Sequence, residues 1–355
     1  TGGEALNPDN LVTIHSYDIE NDEVTILDQI PGDFSHEIVR DEQFAYIHIG
    51  WSPDNPNPQG EDAIFRYDLI TGEQIDNLTG FIGNVQIAFW ENMYIIGSDS
   101  KLEIYNKYSI SNGPKFEFDI PSNQFGGMVV VNDNLYVGFT ENNKGHIARI
   151  KLSSNPFFDG QFELDETSVG LHELITDGNV IYGFSESYDP MTSQLMSASL
   201  TKFNPSNNSF ETQLVDQSKS ALGVINGKVY GNFGTDGNVM DGSTLTSDNT
   251  TLFSDFTKGK WDRINEVFYL QQTDFSTLGK VSIVNLNGEE LDFIETDISG
   301  NAIDLIFNHP PQFIQSDIYL EMLFGDDWIE PLYPHVIDED DDFALLTLTP
   351  SILFN

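Results

Sequence analysis

The chain has 355 residues, of which 57 are Asp or Glu and 15 are Lys or Arg, giving a formal net charge of −42. Such an acidic surface repels phosphate backbones, so we exclude nucleic acid as a partner; the charge either attracts cations or keeps a secreted protein soluble. The sequence lacks cysteine, which excludes disulfides, thiolate zinc sites and cysteine nucleophiles. It also lacks the long uninterrupted apolar run of a membrane span, so we predict no transmembrane segment.

The first predicted elements lie in residues 11–29, where two alternating strands read as the second half of a four-stranded unit. The segment before them, TGGEALNPDN, is polar and looks like the start of a processed chain. A lipidated cysteine just upstream of Thr1 would anchor the protein to a membrane surface.

From residue 40 onward one sequence pattern recurs. It consists of an apolar strand, a turn containing Asn, Asp or Gly, and a second strand with a central tyrosine. These tyrosines, spaced 39 to 48 residues apart, are Tyr46, Tyr94, Tyr136, Tyr182, Tyr230 and Tyr269. A period of about 40 to 50 residues is typical of structural repeats. In most repeats a third and a fourth alternating strand follow, as in AIFRYDL and QIDNL. Each repeat therefore predicts one four-stranded antiparallel blade of a β-propeller.

The two ends of the repeat array complement each other. NAIDLIF (301–307) and DIYLEML (317–323) read as the first and second strands of a blade, the half that residues 11–29 lack. We therefore predict an all-β, seven-bladed β-propeller over residues 1–323, closed by pairing of the N- and C-terminal half-blades, because closure removes exposed sheet edges. Residues 324–355, with an acidic run at 338–342, are predicted to be a C-terminal extension, either an extra strand or the start of a further domain.

The loops between second and third strands, and those between blades, should open on one face of the propeller, the loop face. Three second-to-third loops are long, at residues 50–62, 185–197 and 233–249. Aromatic and Met side chains on this face predict a binding surface for a flat or sugar-like ligand, although several could only seal gaps between blades. The candidates are Trp51, Tyr188, Met191 and Met240 in the loops, and Phe34, Phe81, Phe125 and Trp261 in the blade junctions.

The predicted first strands line a central channel, where His-Glu occurs in blades one and four. Strand alternation sends one of two columns inward. If the acidic column faces inward, Glu37, Glu173 and Asp262 are candidate ligands for a hard divalent cation such as calcium. If His36 and His172 do, their imidazoles could bind a transition metal or act as acid and base. The alternative is that these polar groups only bind trapped water.

The repeat pattern, with a tyrosine after the turn and then YDLITGE (67–73) in the third strand, resembles the seven-bladed propellers of the surface-layer or quinoprotein-like group. Among these are extracytoplasmic lipoproteins of Gram-negative bacteria that capture cobalamin beside a TonB-dependent transporter. The resemblance covers about residues 1–323, and its motifs are those of the blade, so no site residue is transferred. It implies a lipid-anchored protein at the outer membrane that binds a small molecule or glycan, with an outer-membrane transporter as partner.

Two other functions remain open. One is a metal-dependent propeller enzyme, of lactonase or lyase type, working at the channel mouth with His36, His172 and Glu173 as catalytic candidates. The chain has no Gly-x-Ser-x-Gly, phosphate-loop or His-Glu-x-x-His motif, so the sequence favours binding over catalysis. The other is a structural or adhesive module of a larger surface protein, which the acidic extension favours.

Overall fold

Short segments that alternate apolar and polar residues form antiparallel strands in this chain, because alternate side chains of a strand point to opposite faces of its sheet. The computed structural model describes residues 11–18, 23–32, 35–41, 43–50, 62–69, 71–81, 85–98, 100–121, 124–247, 250–253, 256–273, 277–296, 302–305, 312–313 and 336–337. Helical structure in this part of the chain is limited to short 3₁₀ turns at Ile110–Asn112, Glu166–Ser168 and Gly234–Asp236. None of the helices described is long and apolar enough to cross a bilayer.

Six sheets follow one another along the chain, each made of consecutive antiparallel strands. Blade one comprises β3 (Ser35–Arg40), β4 (Phe44–Ile49), β5 (Asp62–Asp68) and β6 (Gln74–Phe81), and blade two β7 (Gln86–Trp90), β8 (Met93–Ser98), β9 (Lys101–Asn106) and β10 (Phe116–Asp119). Blade three comprises β11 (Gln124–Val131), β12 (Asn134–Glu141), β13 (Lys144–Lys151) and β14 (Phe157–Glu163), and blade four β15 (Leu171–Thr176), β16 (Ile181–Tyr188), β17 (Leu195–Asn204) and β18 (Ser209–Val215). Blade five has three strands, β19 (Ala221–Ile225), β20 (Lys228–Gly231) and β21 (Val239–Asp241), and blade six four, β22 (Lys258–Asp262), β23 (Val267–Gln272), β24 (Gly279–Asn285) and β25 (Glu290–Thr296).

The predicted propeller of four-stranded antiparallel blades is confirmed, but the described residues contain six blades rather than the predicted seven. The N-terminal half-blade is present as a separate two-stranded sheet of β1 (Leu11–Asp18) and β2 (Glu23–Pro31). Its predicted partner at 317–323 lies outside the described residues, and only 302–305 of the other predicted partner is described, without strand structure.

A further pair of short strands joins the predicted extension to the segment before it. β26 (Gln312–Phe313) pairs with β27 (Val336–Ile337). One part of residues 324–355 therefore pairs with a segment that follows blade six in the sequence. The domain boundary at residue 323 stays a prediction.

The turn chemistry of the sequence explains the tight hairpins. Between β11 and β12, Asn132 and Asp133 have φ of 48° and 56°, in the left-handed region. Two-residue hairpin turns with both residues left-handed match the twist of the strands, and Asn and Asp tolerate that conformation better than other non-glycine residues. Asn142 and Asn143 form the same kind of turn between β12 and β13, with φ of 52° and 59°.

The recurring tyrosines lie in the cores between neighbouring blades, which explains their period. The rings of Tyr46 in blade one and Tyr94 in blade two stack with centroids 4.4 Å apart, and neither side chain is exposed to solvent. Tyr136 packs with Leu171 and Ile181 of blade four in a shared cluster. Burial of a large side chain of this kind stabilises the fold by about 1.5–3 kcal/mol, so these tyrosines stabilise the contacts between blades.

The first strands of four blades share a second feature, a β-bulge at the end nearest the loop face. The strand register shifts between Ser35 and Glu37, between Leu171 and Glu173, and at comparable positions in β11 and β19. The extra residue is His36 in blade one and His172 in blade four. Bulges redirect side chains and often lie beside functional sites.

Candidate functional site

The strand register corrects one of the predicted channel columns. In blade one Glu37 pairs with His48, two residues after Tyr46, and in blade four Glu173 pairs with Phe184, two residues after Tyr182. The residue at this position of blade six is Lys258, which pairs with Gln271.

Asp262, which the sequence placed beside Glu37 and Glu173, lies four residues further on, at the end of β22. Its carboxylate accepts hydrogen bonds from the backbone N–H groups of Ile264 and Asn265, 2.9 and 3.0 Å away, and from the Asn265 side chain. Asp262 therefore holds a turn together rather than joining the acidic column.

Glu37 is the most perturbed carboxyl group of the channel region. Burial raises its pKa to about 7; Lys258 and Lys260 of blade six oppose the shift, and Glu173 and Asp304 add to it. Within the described residues, Oε2 of Glu37 has no hydrogen-bond partner. The charges of two ammonium groups therefore act on Glu37 together with those of two carboxylates, and the ammonium groups would oppose the binding of a hard cation there.

The His-Glu pair of blade four ties two blades together. Both ring nitrogens of His172 face backbone carbonyls: Nδ1 lies 3.2 Å from the oxygen of Gly170, and Nε2 lies 3.0 Å from that of Lys219. The Glu173 carboxylate accepts the backbone N–H of Ala221 at 3.0 Å. Both residues thus have structural contacts to the segment that begins blade five, which would have to be released before they could act on a substrate.

The His-Glu pair of blade one has different neighbours. The ring of His36 stacks on that of His48, with centroids 4.7 Å apart. Nε2 of His48 lies 2.9 Å from Oδ2 of Asp62, the first residue of β5. One donor atom from each of His36, His48 and Asp62 lies within 4.8 Å of the other two. We call this group the blade-one triad.

The backbone around the triad leaves little room for rearrangement. A Cβ atom on Gly50 would collide with Nε2 of His36, so the histidine ring packs directly against the chain at the end of β4. Burial, followed by the charges of His48 and Lys258, lowers the pKa of His36 to about 4, although Asp62 partly opposes this. His36 is therefore a neutral imidazole at neutral pH.

His48 and Asp62 were not among the predicted site residues, yet the repeat contained a signal for His48. The position two residues after the recurring tyrosine holds His48 in blade one, whereas the other blades have Ile96, Gly138, Phe184, Asn232 and Gln271. A titratable residue at this buried position stands out once the repeats are aligned. Asp62 had no such signal, because its neighbourhood depends on where β5 begins.

On blade four, the loop face carries a projecting hairpin. β16 and β17 pair as far as Tyr188 and Leu195, so regular structure enters the segment predicted to be a loop. Its exposed apolar side chains are those of Tyr188, Met191, Leu195 and Met196. Tyr188 donates its hydroxyl hydrogen to Glu186, which also accepts the backbone N–H of Ser218 at 3.0 Å. This hydrogen bond restrains the tyrosine ring, while Met191 is 93% exposed.

The other predicted ligand contacts have varied positions. Phe81, Phe125 and Met240 are buried in clusters shared by adjacent blades, so they fill the gaps between blades and are not available to a ligand. Met240 was expected in a loop but lies in β21, where it pairs with Val229. Trp261 is partly buried against Phe268, with ring centroids 4.6 Å apart. Phe34 and Trp51 lie outside the described residues.

The loop face thus offers two chemically distinct features among the described residues. The blade-one triad presents imidazole nitrogens and a carboxylate, and the blade-four hairpin presents apolar surface. Strand direction places both at the same end of the propeller, because each lies where a second strand ends and a third begins.

Comparison with known proteins supports the fold. No protein-family model matches the sequence, and no curated protein matches it significantly. A Bacteroides fragilis protein provisionally assigned as a 6-phosphogluconolactonase is 12% identical with a TM-score of 0.56, over 84% of this chain and 94% of that one. Apo AztD from Citrobacter koseri is 11% identical with a TM-score of 0.52, over 81% of this chain and 92% of that one. At these identities the likeness shows a shared β-propeller fold and nothing about ligands.

Proposed function

We propose that this chain is an extracytoplasmic binding protein that captures a small molecule or glycan on its loop face. The observation that carries the proposal is the blade-four hairpin, which holds Tyr188, Met191 and Met196 in contact with water. Exposed apolar side chains grouped on one hairpin favour a binding role, because their burial against a ligand contributes about 25 cal/mol for each Å² removed from water.

The proposed location and partners follow from composition and from the resemblance to capture lipoproteins. A cysteine-free, strongly acidic chain can fold outside the cytoplasm without disulfides, since its large core is sufficient. Anchoring at the outer membrane by a lipid, with delivery of a ligand such as cobalamin to a transporter, belongs to the same proposal.

We further propose that the ring closes through a composite seventh blade made of β1, β2 and the segment that begins at 302–305. Seven apolar clusters support this proposal. Five of them lie between consecutive blades from one to six, and the other two lie on the outer sides of blades one and six. In one, Val12 and Ile30 pack against Ile47 of blade one. In another, Tyr269 of blade six is joined by Ile303 and Leu305.

Catalysis by a lactonase-type or lyase-type enzyme is the second candidate, and the blade-one triad is the observation that favours it. A half-buried, neutral imidazole beside a second histidine and a carboxylate can serve in proton transfer. His172 and Glu173 are weaker candidates, because their polar atoms contact the backbone of the next blade.

Binding can be tested directly on tag-free protein. We would titrate it with cyanocobalamin and with a panel of oligosaccharides by isothermal calorimetry. The double variant Tyr188→Ser/Met191→Ser should weaken the binding of any ligand found at least tenfold without lowering the melting temperature. Tyr108→Ser is the matched control, because Tyr108 is similarly exposed but follows a third strand, at the opposite end of the propeller. Equal affinity in the double variant and the control would refute the hairpin as the capture surface.

A further inference from the structure

The blade-one triad brings together donor atoms from three strands of a single blade. His36 is the bulge residue of β3, His48 lies in β4, and Asp62 begins β5. Donor atoms from one sheet keep their spacing better than donors on facing channel walls, because hydrogen-bonded neighbouring strands are only about 4.8 Å apart. The three donor atoms lie within 4.8 Å of one another, near the roughly 3.3 Å that separates donor atoms around a tetrahedral Zn²⁺.

His48 carries an independent sign that a partner is missing. Its side chain is only 2% exposed, and among the described residues Nδ1 has no hydrogen-bond partner, while Nε2 faces Asp62. Leaving a buried polar atom unsatisfied costs roughly 1–3 kcal/mol. A cation on Nδ1 would supply the missing partner and leave Nε2–H to donate to the carboxylate, which is how carboxylates commonly orient metal-bound histidines.

The donor types indicate the class of ion. Imidazole nitrogens with one carboxylate suit first-row transition metals such as Zn²⁺, whereas calcium and magnesium prefer oxygen ligands throughout.

We propose that His36, His48 and Asp62 form a binding site for a divalent transition-metal ion, Zn²⁺ or a close equivalent, at the loop face of blade one. In this site His36 and His48 are the ligands and Asp62 orients the His48 ring through its hydrogen bond, so coordination positions stay open to water or to a bound molecule. The site is distinct from the carboxylates Glu37, Glu173 and Asp262 considered as calcium ligands, and it does not depend on the proposed capture function.

The test uses the tag-free chain and Zn²⁺ alone, added in a buffer that contains a large excess of Ca²⁺ and Mg²⁺. The excess fills weak sites on the acidic surface, since carboxylates alone prefer hard cations. We expect about one tightly bound Zn²⁺ per chain, measured by calorimetry and by metal analysis after dialysis. Co²⁺ at the same site should give visible absorption bands that Zn²⁺ displaces.

Variants separate this site from other histidines. His48→Gln and Asp62→Asn should each weaken Zn²⁺ binding at least tenfold, and Asp62→Asn guards against a folding defect because it is the more exposed position. His146→Gln, which alters a buried histidine of blade three, should bind as the wild type does.

Three outcomes would overturn the proposal. They are the absence of tight Zn²⁺ binding under these conditions, retention of binding in Asp62→Asn, and an equal loss of binding in His146→Gln. Circular dichroism of each variant shows whether its fold is intact.

Discussion

Arg40, in the first strand of blade one, donates a hydrogen bond from Nε to the backbone carbonyl of Leu305, 2.5 Å away and 265 residues later in the chain. Asp304, next to Leu305, lies 3.6 Å from Nζ of Lys260 in blade six. Residues 302–305 therefore touch the first strands of two blades that are far apart in sequence, which is where the first strand of a closing blade would lie.

The contact between Arg40 and Leu305 should stabilise the closed ring. Arg40→Met removes the guanidinium donor and keeps the apolar stem, so we expect the free energy of unfolding to fall by about 1–3 kcal/mol, the cost of leaving a partly buried carbonyl unpaired. Urea denaturation measures the change. Lys280→Met is the control, because the Lys280–Glu290 pair is largely exposed and worth only about 0–1 kcal/mol. Equal effects of the two substitutions would argue against closure through this contact.

The buried carboxyl of Glu37 should make stability depend on pH. Because its pKa is raised to about 7, the folded protein keeps a proton that the unfolded chain releases above its ordinary value of 4.5. Wild-type stability should therefore fall as the pH rises from about 4.5 to 7, a loss that Glu37→Gln lacks. Relative to the wild type, the variant should gain up to roughly 3 kcal/mol across this window.

This comparison is made by thermal or urea unfolding with a chelator present, so that no metal affects the neighbouring His36. Glu163→Gln is the control. Glu163 is exposed, and its hydrogen bond with Lys144 lowers its pKa, so its contribution to stability rises with pH near and below 4.5 and does not fall across the window. A difference between Glu37→Gln and the wild type that does not vary with pH would show that Glu37 is ionised in the fold.

Trp261 should behave first as a packing residue. Its ring lies against Phe268, so Trp261→Ala should lower the free energy of unfolding by about 2 kcal/mol, less than for a fully buried tryptophan. Trp261→Phe should recover most of this stability. If Trp261→Phe is stable yet binds the ligand at least tenfold more weakly, the predicted ligand contact is also correct. Unchanged stability in Trp261→Ala would contradict the packing role.

Gly127 should tolerate no side chain. A Cβ atom there would lie 2.6 Å from Cα of Glu173, in the first strand of the next blade, whose backbone cannot move without disturbing the ring. We expect Gly127→Ala to lower stability by about 1–3 kcal/mol, in the range for overpacked cores, as measured by the melting temperature. A variant that melts like the wild type would mean that blades three and four can slide apart.

The blades could be predicted because their signal is local. A buried tyrosine must recur wherever the same packing recurs, so Tyr46 and its counterparts marked the second strands before any contact was known. The register of blade six could not be predicted, because the segment WDRIN looks like a strand although Asp262 turns the chain back on itself through its side chain. Met240 was missed for a similar reason: Gly, Asn and Asp around it suggest a loop, but Asn238 bonds to Gly231 and supports a short strand.

The candidate site was harder to predict than the fold. His36 was among the predicted residues, but it was grouped with His172 and Glu173 of another blade. The structure brings it to His48 and Asp62 of its own blade instead, because the bulge in β3 redirects the ring along the sheet. Bulges depend on backbone register, which residue types alone do not reveal.

The stacking of Tyr46 on Tyr94 has a consequence for how the sequence of such a chain can evolve. Since each tyrosine completes a core that belongs to two blades, the loss of a single strand would leave two interfaces unfilled. Strands of the blades can therefore be inserted or deleted only as a whole repeat, which brings its own tyrosine. The rim loops belong to no such shared core, and ligand preference can diverge there while the ring stays the same.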